Sequence, residues 1–125
     1  MKLYRCDKCG NVLEVIRDSA IIPVCCGVGM KCLEANTDEE ASTEKHVPVV
    51  VKEKNKVVVY VGSILHPMEE KHYIEWISLE TDKGRYLKYL SPGDMPLVTF
   101  SLADEYEDVI NVYAYCNIHG LWSNN

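Results

Sequence analysis

The chain has 125 residues, enough for one average domain or two small ones, and its 47% apolar and 26% charged residues are typical of a globular protein. The formal net charge of −6 argues against nucleic acid as the main partner, because a nucleic-acid-binding face needs a surplus of cationic side chains. No apolar run reaches the length of a membrane span, and no apolar h-region follows residues 1–5. With no export signal, the six cysteines are expected to be metal ligands or free thiols in the cytosol rather than disulfides.

Four cysteines near the start of the chain form two pairs that can share one metal ion. Two residues separate Cys6 from Cys9, a spacing that lets both sulfurs turn onto one ion. Cys25 and Cys26 are adjacent, so the backbone must bend if both are to bind, and Gly27 permits that bend. Four thiolates make a closed tetrahedral site that suits zinc or a single iron, and spacing alone does not separate the two metals.

The size of this first segment supports a bound metal. Chains below about 40 residues usually need a metal, a disulfide or a partner to fold, and a metal bound here is expected to contribute most of the folding free energy. A purely structural knuckle without a redox role remains the alternative. The leftover Cys32 is predicted to be a buried, inert side chain rather than a redox group.

A polar, acidic stretch at residues 36–43 has no hydrophobic periodicity and is the predicted boundary between two domains. It contains at most a short helical turn capped by Thr37 or Asp38. Just beyond it, Pro48 is predicted to exclude helix at His46 and to mark either the start of a strand or a sheet edge.

The rest of the chain alternates between short β-branched or aromatic runs and turn signals. The runs are at residues 47–51, 57–61, 73–79, 86–90, 97–102 and 109–115, and the turns are at residue 55 and at 82–84 and 91–94. No long helical period is present. The pattern predicts an all-β sandwich of about seven strands.

All four histidines of the chain lie in this second part, together with one more cysteine. A thiolate with neutral imidazoles is a ligand set for iron, copper or zinc. His66 and His72 are six residues apart and do not share a helix face, so we expect them on a loop between two strands. Cys116 and His119 are predicted to lie in a tight loop that leaves the last strand. If His46 joins them, the five side chains make one metal site; no H-E-x-x-H motif is present, which argues against a metalloprotease.

Less specific explanations remain for each of these residues. A lone histidine is more often a surface or core residue than a metal ligand. Glu44 and Lys45, directly before His46, are by themselves an ordinary solvated charge pair at the end of a linker.

Four motifs in this order resemble the desulfoferrodoxin family, the two-domain form of superoxide reductase. They are Cys6-x-x-Cys9 with Cys25–Cys26, the segment 44–48 (EKHVP), the segment 66–74 (HPMEEKHYI) and the segment 116–122 (CNIHGLW). The resemblance spans essentially the whole chain, with no departure at any ligand position.

The resemblance implies an all-β protein of two domains with two iron ions. Residues 1–36 are expected to be a desulforedoxin-like iron domain, and residues 37–125 an immunoglobulin-like seven-stranded β-sandwich, with 37–44 as the linker. The implied ligands of the first iron are Cys6, Cys9, Cys25 and Cys26. Those of the second are His46, His66, His72 and His119 in an equatorial plane, with Cys116 as the axial thiolate and the sixth position open.

The implied activity is the one-electron reduction of superoxide to hydrogen peroxide, with re-reduction by a rubredoxin-type donor. Glu44 is expected to cap the ferric iron at rest, and Lys45 to supply a positive field for the anionic substrate, with Lys71 as a weaker second. Two-domain members of the family are typically homodimers. The competing interpretations are an electron carrier without turnover and a structural zinc protein with a vestigial histidine site.

Overall fold

The computed structural model describes residues 1–36 and 43–125. The chain divides into two compact units, Met1–Glu34 and Ala35–Asn125, which we call the cysteine unit and the sandwich unit. The elements in chain order are β1 (Leu3–Arg5), β2 (Val12–Glu14), β3 (Val24–Cys25), β4 (Val28–Gly29), β5 (Lys31–Leu33), α1 (Thr43–His46), β6 (Pro48–Glu53), β7 (Lys56–Val61), β8 (Ile74–Thr81), β9 (Arg85–Tyr89), β10 (Leu97–Ser101), β11 (Val109–Cys116) and β12 (Gly120–Ser123). No helical segment in these two ranges has the length and apolar character that crossing a bilayer requires.

The cysteine unit has little apolar core. An antiparallel sheet in the order β2-β1-β5 and a separate β3–β4 hairpin surround a cluster of Tyr4, Cys6 and Met30. One of these buried residues is itself a cysteine of the predicted metal site. Apolar burial on this scale is small for a chain segment of this length, which leaves a large share of the stability to a bound metal.

The prediction that Cys32 is buried was wrong, because its side chain is exposed. Cys32 lies on β5, an edge strand of the β2-β1-β5 sheet, opposite Tyr4 on β1. A unit of this size has no further layer with which to cover that edge.

The sandwich unit confirms the predicted all-β fold. Within the described residues, seven strands form two antiparallel sheets, one in the order β10-β7-β6 and the other in the order β12-β11-β8-β9. β9 pairs with β8 and not with β10, which gives sheets of three and four strands. Both sheets turn one face to a shared core, as in immunoglobulin-like sandwiches.

Alternation along the strands decides which residues reach that core. Val57, Val59 and Val61 of β7 are fully buried, as expected for the inward positions of a strand with a period of two. On β11 the inward positions run through Val112 and Ala114 to Cys116, which belongs to the same core cluster. The Cys116 side chain, at the end of β11, is therefore part of the hydrophobic core of the sandwich.

Two local predictions in the sandwich unit differ from the structure. His46 is the last residue of α1, although Pro48 was expected to exclude helix there. Proline restricts the residue directly before it, which is Val47, and Val47 lies outside the helix. The chain also continues past the predicted last strand into β12, so the 116–120 loop is a hairpin turn between β11 and β12.

The predicted helical turn capped by Thr37 or Asp38 lies outside the described residues, as does most of the predicted linker.

Candidate metal centres

The first pair of cysteines is held by a tight turn after β1. The backbone N–H of Gly10 donates a hydrogen bond to the Cys6 carbonyl at 2.8 Å, and the N–H of Cys6 donates to the Asn11 carbonyl at 2.9 Å. Gly10 adopts a left-handed φ of 82°, which glycine tolerates without steric cost. The turn brings the Cys6 and Cys9 sulfurs within 4.8 Å of each other.

The second pair lies at the tip of the β3–β4 hairpin. Cys26 and Gly27 have φ values of 52° and 75°, as in the two-residue turns that join antiparallel strands. The bend predicted between the adjacent cysteines is therefore present, and Cys26 shares the left-handed conformation with the glycine. The Cys25 sulfur lies 3.6 Å from that of Cys9 and 3.9 Å from that of Cys26.

All four sulfurs of Cys6, Cys9, Cys25 and Cys26 lie within 4.8 Å of one another. We call this group the cysteine cluster. A backbone hydrogen bond from Cys9, the largest of several effects, lowers the pKa of Cys6 to about 6, whereas hydrogen bonding with Cys9 raises the pKa of Cys26 to about 12. The fold therefore lowers the pKa of one thiol and raises that of another, and a cation is needed to stabilise four thiolates at this spacing.

The second group of ligands comes from three places in the sandwich unit. His46 ends α1, His66 and His72 lie on the β7–β8 loop, and Cys116 and His119 lie at the β11–β12 turn. The predicted loop position of His66 and His72 is thus confirmed. The five candidate ligand atoms lie within 4.8 Å of one another, and we call this group the histidine cluster.

The four imidazoles of the histidine cluster form a closed ring. Neighbouring ring centroids are 4.7 Å apart for His46–His66, 4.6 Å for His66–His72, 5.1 Å for His72–His119 and 4.8 Å for His119–His46. The distance between His46 and His72 is longer, at 6.4 Å, so these two stand across the ring from each other. Neighbouring planes are inclined by 71° to 86°. This is the arrangement of four nitrogen ligands around a single ion.

The ring nitrogens turn toward a common centre. His46 Nε2 lies 3.0 Å from His119 Nδ1 and 3.2 Å from His66 Nε2. His66 Nδ1 lies 2.7 Å from the Pro67 carbonyl and donates its proton there, which leaves Nε2 free of a proton. His72 Nε2 is buried and has no hydrogen-bond partner in the described part of the chain. A metal ion at the centre satisfies all of these nitrogens, so the residues fit the group.

Burial favours the neutral form of two of the imidazoles, those of His66 and His72, and metal ligation requires that form. Burial lowers the pKa of His66 to about 4, and it also lowers the pKa of His72. These two ligands therefore carry no proton that a metal must displace at neutral pH.

The Cys116 sulfur lies next to the ring of imidazoles. It is fully buried and lies 3.7 Å from His119 Nδ1. Burial raises the pKa of the Cys116 thiol, while a backbone hydrogen bond from His119, at 3.4 Å from nitrogen to sulfur, opposes that rise. A cation in the ring supplies the charge that the buried thiolate needs.

Two residues that the sequence motifs did not single out hold the ligand loops together. The side chain of Asn117 accepts a hydrogen bond from the Tyr73 N–H and donates one to the Lys71 carbonyl, both at 3.0 Å, which ties the 116–119 turn to the segment that carries His72. Trp122, fully buried on β12, stacks on the His46 imidazole with a centroid distance of 4.5 Å and an interplanar angle of 21°. Both residues lie within the CNIHGLW motif, yet only the fold shows what they contact.

Glu44 and Lys45 are exposed on α1, within the same helical turn as His46. Their side chains are therefore not among the five converging ligands. The positive charge of Lys45 is one of the influences that lower the pKa of His72, after burial and the charge of His119. Lys45 thus acts electrostatically on the histidine cluster.

A β-sandwich carrying a ring of four imidazoles and one buried thiolate, in a chain that also contains a small unit folded around four cysteines, defines a non-haem metalloprotein with two mononuclear centres. The sequence profile of the family described as Desulfoferrodoxin matches residues 38–125. The chain belongs to the desulfoferrodoxin family.

Individual relatives match along nearly the whole chain. A desulfoferrodoxin homolog of Archaeoglobus fulgidus is 49% identical over 122 residues, which cover 98% of this chain and 94% of that protein. The desulfoferrodoxin of Nitratidesulfovibrio vulgaris is 46% identical, over 97% of this chain and 93% of its own. The crystal structure of the superoxide reductase from Treponema pallidum matches with a TM-score of 0.81 and 32% identity, over 100% of this chain and 98% of that one.

The two clusters and the family together confirm the predicted cofactors. The chain binds two iron ions, one at the four thiolates of the cysteine cluster and one at the four imidazoles and single thiolate of the histidine cluster.

Proposed function

We propose that this protein is a superoxide reductase that reduces superoxide to hydrogen peroxide at the iron of the histidine cluster. The observation that carries the proposal is the closed ring of four imidazoles with a buried cysteine sulfur on one side. The similarity to the superoxide reductase from Treponema pallidum supports it. When bound, ferrous iron supplies the electron, and two protons from water complete the balance O2•− + e− + 2 H+ → H2O2.

In this proposal the four imidazoles of the histidine cluster and the Cys116 thiolate would hold the iron, which would supply the electron that reduces superoxide. Cys116 is buried in the sandwich core, whereas His119 is exposed. Because Cys116 is buried, we expect substrate to approach from the side of the ring away from its sulfur. A small anion such as superoxide needs only an open position and a favourable field there.

Lys45 supplies that field, because it is adjacent to His46 in the sequence and its positive charge contributes to the lowered pKa of His72. We expect Lys45→Ala to slow superoxide association by about 10-fold at low ionic strength, the low end of the range for focused fields, since one charge is lost. Stopped-flow or pulse-radiolysis rates at several salt concentrations measure this. Lys45→Arg should keep the rate, and Lys71→Ala should lower it less. A Lys45→Ala rate equal to wild type at low salt removes the steering role.

Glu44 would supply a carboxylate to the oxidised iron at rest. Its exposed position, two residues before the ligand His46, leaves the side chain free to exchange. Glu44→Ala should shift the visible spectrum of the oxidised protein and leave the superoxide association rate nearly intact. Glu69→Ala removes another carboxylate whose charge reaches His72 and serves as the matched control. An unshifted spectrum in Glu44→Ala contradicts the assignment.

The remaining parts of the proposal concern the surroundings of the catalytic centre. Residues 1–36 form a desulforedoxin-like iron domain, and residues 37–125 form the catalytic domain, with 37–44 as the linker. The protein acts in the cytosol as a homodimer and is re-reduced by a rubredoxin-type donor that docks on its acidic surface. The formal charge of −6 supports docking through charge.

Superoxide generated by a radiation pulse in the presence of reduced protein tests the activity. We expect consumption near the diffusion limit, about 10⁸–10⁹ M⁻¹s⁻¹, with one peroxide formed per superoxide and no dioxygen released. Slow consumption identifies an electron carrier instead. Dioxygen release identifies a dismutase, and a colourless protein that contains zinc identifies a structural metal site.

A further inference from the structure

Three consecutive residues after β7 contact the backbone of the helix that carries His46. The N–H of Ile64 donates a hydrogen bond to the Glu44 carbonyl at 2.9 Å. The Ser63 hydroxyl donates to the same carbonyl at 3.1 Å. The backbone of Gly62 lies directly against the same carbonyl. We call Gly62, Ser63 and Ile64 the carbonyl seat.

Gly62 is required for steric reasons. A Cβ placed on it would lie 2.7 Å from the Glu44 carbonyl oxygen and 2.9 Å from that of Val47, closer than the 3.0 Å below which real Cβ atoms are essentially not found. The Lys45 carbonyl carbon would lie at 3.0 Å. These are backbone atoms, so any larger side chain at this position must move the helix itself.

The carbonyl seat also lies close in sequence to the ligand His66. The N–H of His66 donates a hydrogen bond to the Val61 carbonyl at 2.7 Å, and that of Gly62 donates to the Ile64 carbonyl at 3.2 Å, so the 61–66 segment forms a compact turn. This turn donates the hydrogen bonds to the Glu44 carbonyl of α1, and its last residue is His66. The Nε2 atoms of His46 and His66 lie 3.2 Å apart.

The helix cannot fix this spacing alone. With four residues, α1 is a single turn, which is far below the length at which a helix is stable by itself. Its position therefore depends on tertiary contacts, of which the carbonyl seat supplies two hydrogen bonds and one close backbone approach.

We infer that the carbonyl seat, with Gly62 at its centre, is a positioning element that sets the separation of His46 and His66 and thereby the affinity of the histidine cluster for iron. It also fixes the place of Glu44 and Lys45, and that part of the inference rests on the proposed function. The effect on iron affinity does not depend on any reaction with superoxide.

Gly62→Ala tests the inference, with Gly84→Ala as the matched control. A Cβ on Gly84 meets open space, and neither glycine has a left-handed φ. We expect Gly62→Ala to lose about 10- to 100-fold in iron affinity at the histidine cluster, the range for residues that orient ligands, while the cysteine cluster keeps its iron. Competition with a chelator, followed by visible and EPR spectra that separate four-thiolate iron from mixed imidazole–thiolate iron, measures both centres in the full-length protein.

Ser63→Ala gives a second, milder test. Ser63 is exposed, so its loss leaves the fold intact while removing one hydrogen bond to the Glu44 carbonyl. We expect a loss of about 2- to 10-fold in iron affinity at the histidine cluster. If Gly62→Ala does not fold, Ser63→Ala decides the question.

Wild-type iron affinity at the histidine cluster in Ser63→Ala, or in a folded Gly62→Ala, overturns the inference. Equal iron loss from both clusters also overturns it, because that result indicates general destabilisation. If the variants lose iron as expected but the wild-type protein does not consume superoxide, the proposed function fails and the carbonyl seat stands.

Discussion

Cys116→Ser is expected to abolish the sulfur-to-iron charge-transfer absorption of the histidine cluster and to stop rapid superoxide consumption. An alkyl hydroxyl does not ionise at neutral pH, so serine brings neither the charge nor the polarisable donor that the thiolate brings. Even outer-shell substitutions cost about 10- to 100-fold in metal affinity. Loss of a direct ligand should therefore raise the iron dissociation constant by more than about 100-fold. Iron content, visible spectra and pulse-radiolysis rates measure the three effects.

The control for this variant must separate a lost ligand from a hydroxyl placed in the core. Ala114→Ser serves this purpose, because Ala114 is also fully buried and points inward two residues earlier on β11. Both variants carry the cost of burying a hydroxyl, about 1–3 kcal/mol. Only Cys116→Ser removes a ligand atom from the histidine cluster. If Ala114→Ser loses the absorption to the same degree, or if Cys116→Ser keeps it, the assignment of Cys116 as an iron ligand is wrong.

The strands of the sandwich were predictable because their signal is local. On β7 the β-branched run at residues 57–61 predicts a strand by its composition, and the alternation that buries Val57, Val59 and Val61 is seen only in the structure. β12 gave no such signal, because it has four residues, begins at Gly120, and is a strand only through pairing with β11. A short segment of this kind is recognised only when its partner is in place.

The errors at His46 and Cys32 have different physical origins. At His46 the effect of proline was extended one residue too far, because the steric conflict involves only the preceding residue. At Cys32 the burial that is typical of free cysteines led to a wrong prediction, because the cysteine unit is too small to bury an edge strand. The error at His46 concerns only its secondary structure, since His46 still belongs to the histidine cluster, and Cys32 belongs to neither cluster.

The ligand types of the histidine cluster were visible in the sequence, but its geometry was not. A thiolate and four imidazoles limit the metal whatever the fold. Their ring arrangement depends on α1, the β7–β8 loop and the β11–β12 turn meeting at one end of the sandwich. Gly62, Asn117 and Trp122 act through a close backbone approach, two loop-bridging hydrogen bonds and a stacked ring, and such contacts exist only after the chain has folded.

The two clusters also differ in what supports them. The histidine cluster is attached to strand ends and loops of a sandwich with its own core of buried aliphatic residues and Phe100. The cysteine cluster is part of the core of its unit, since Cys6 packs with Tyr4 and Met30. Removal of metal should therefore change the chemistry of the sandwich unit and leave it folded. In the cysteine unit, the same removal should cause unfolding.

Cys9→Ser should release iron from the cysteine cluster and unfold the cysteine unit, while superoxide consumption by the sandwich unit is largely kept. Structural four-ligand metal sites contribute an apparent 10–16 kcal/mol or so in small zinc domains. The apolar cluster of this unit is too small to replace a contribution of that order. Iron content, proteolysis within residues 1–34 and hydrogen exchange of the same segment report the loss.

Cys32→Ser is the matched control for Cys9→Ser, because both thiols are exposed and belong to the same unit, but the Cys32 sulfur is outside the cysteine cluster. It should leave iron content, protection from exchange and superoxide consumption as in the wild type. A Cys9→Ser protein that keeps a protected cysteine unit without its iron would show that burial alone supports the fold. A Cys9→Ser protein that stays folded and iron-loaded at the histidine centre, yet no longer consumes superoxide when pre-reduced, would give the first iron a role in turnover in place of the structural one.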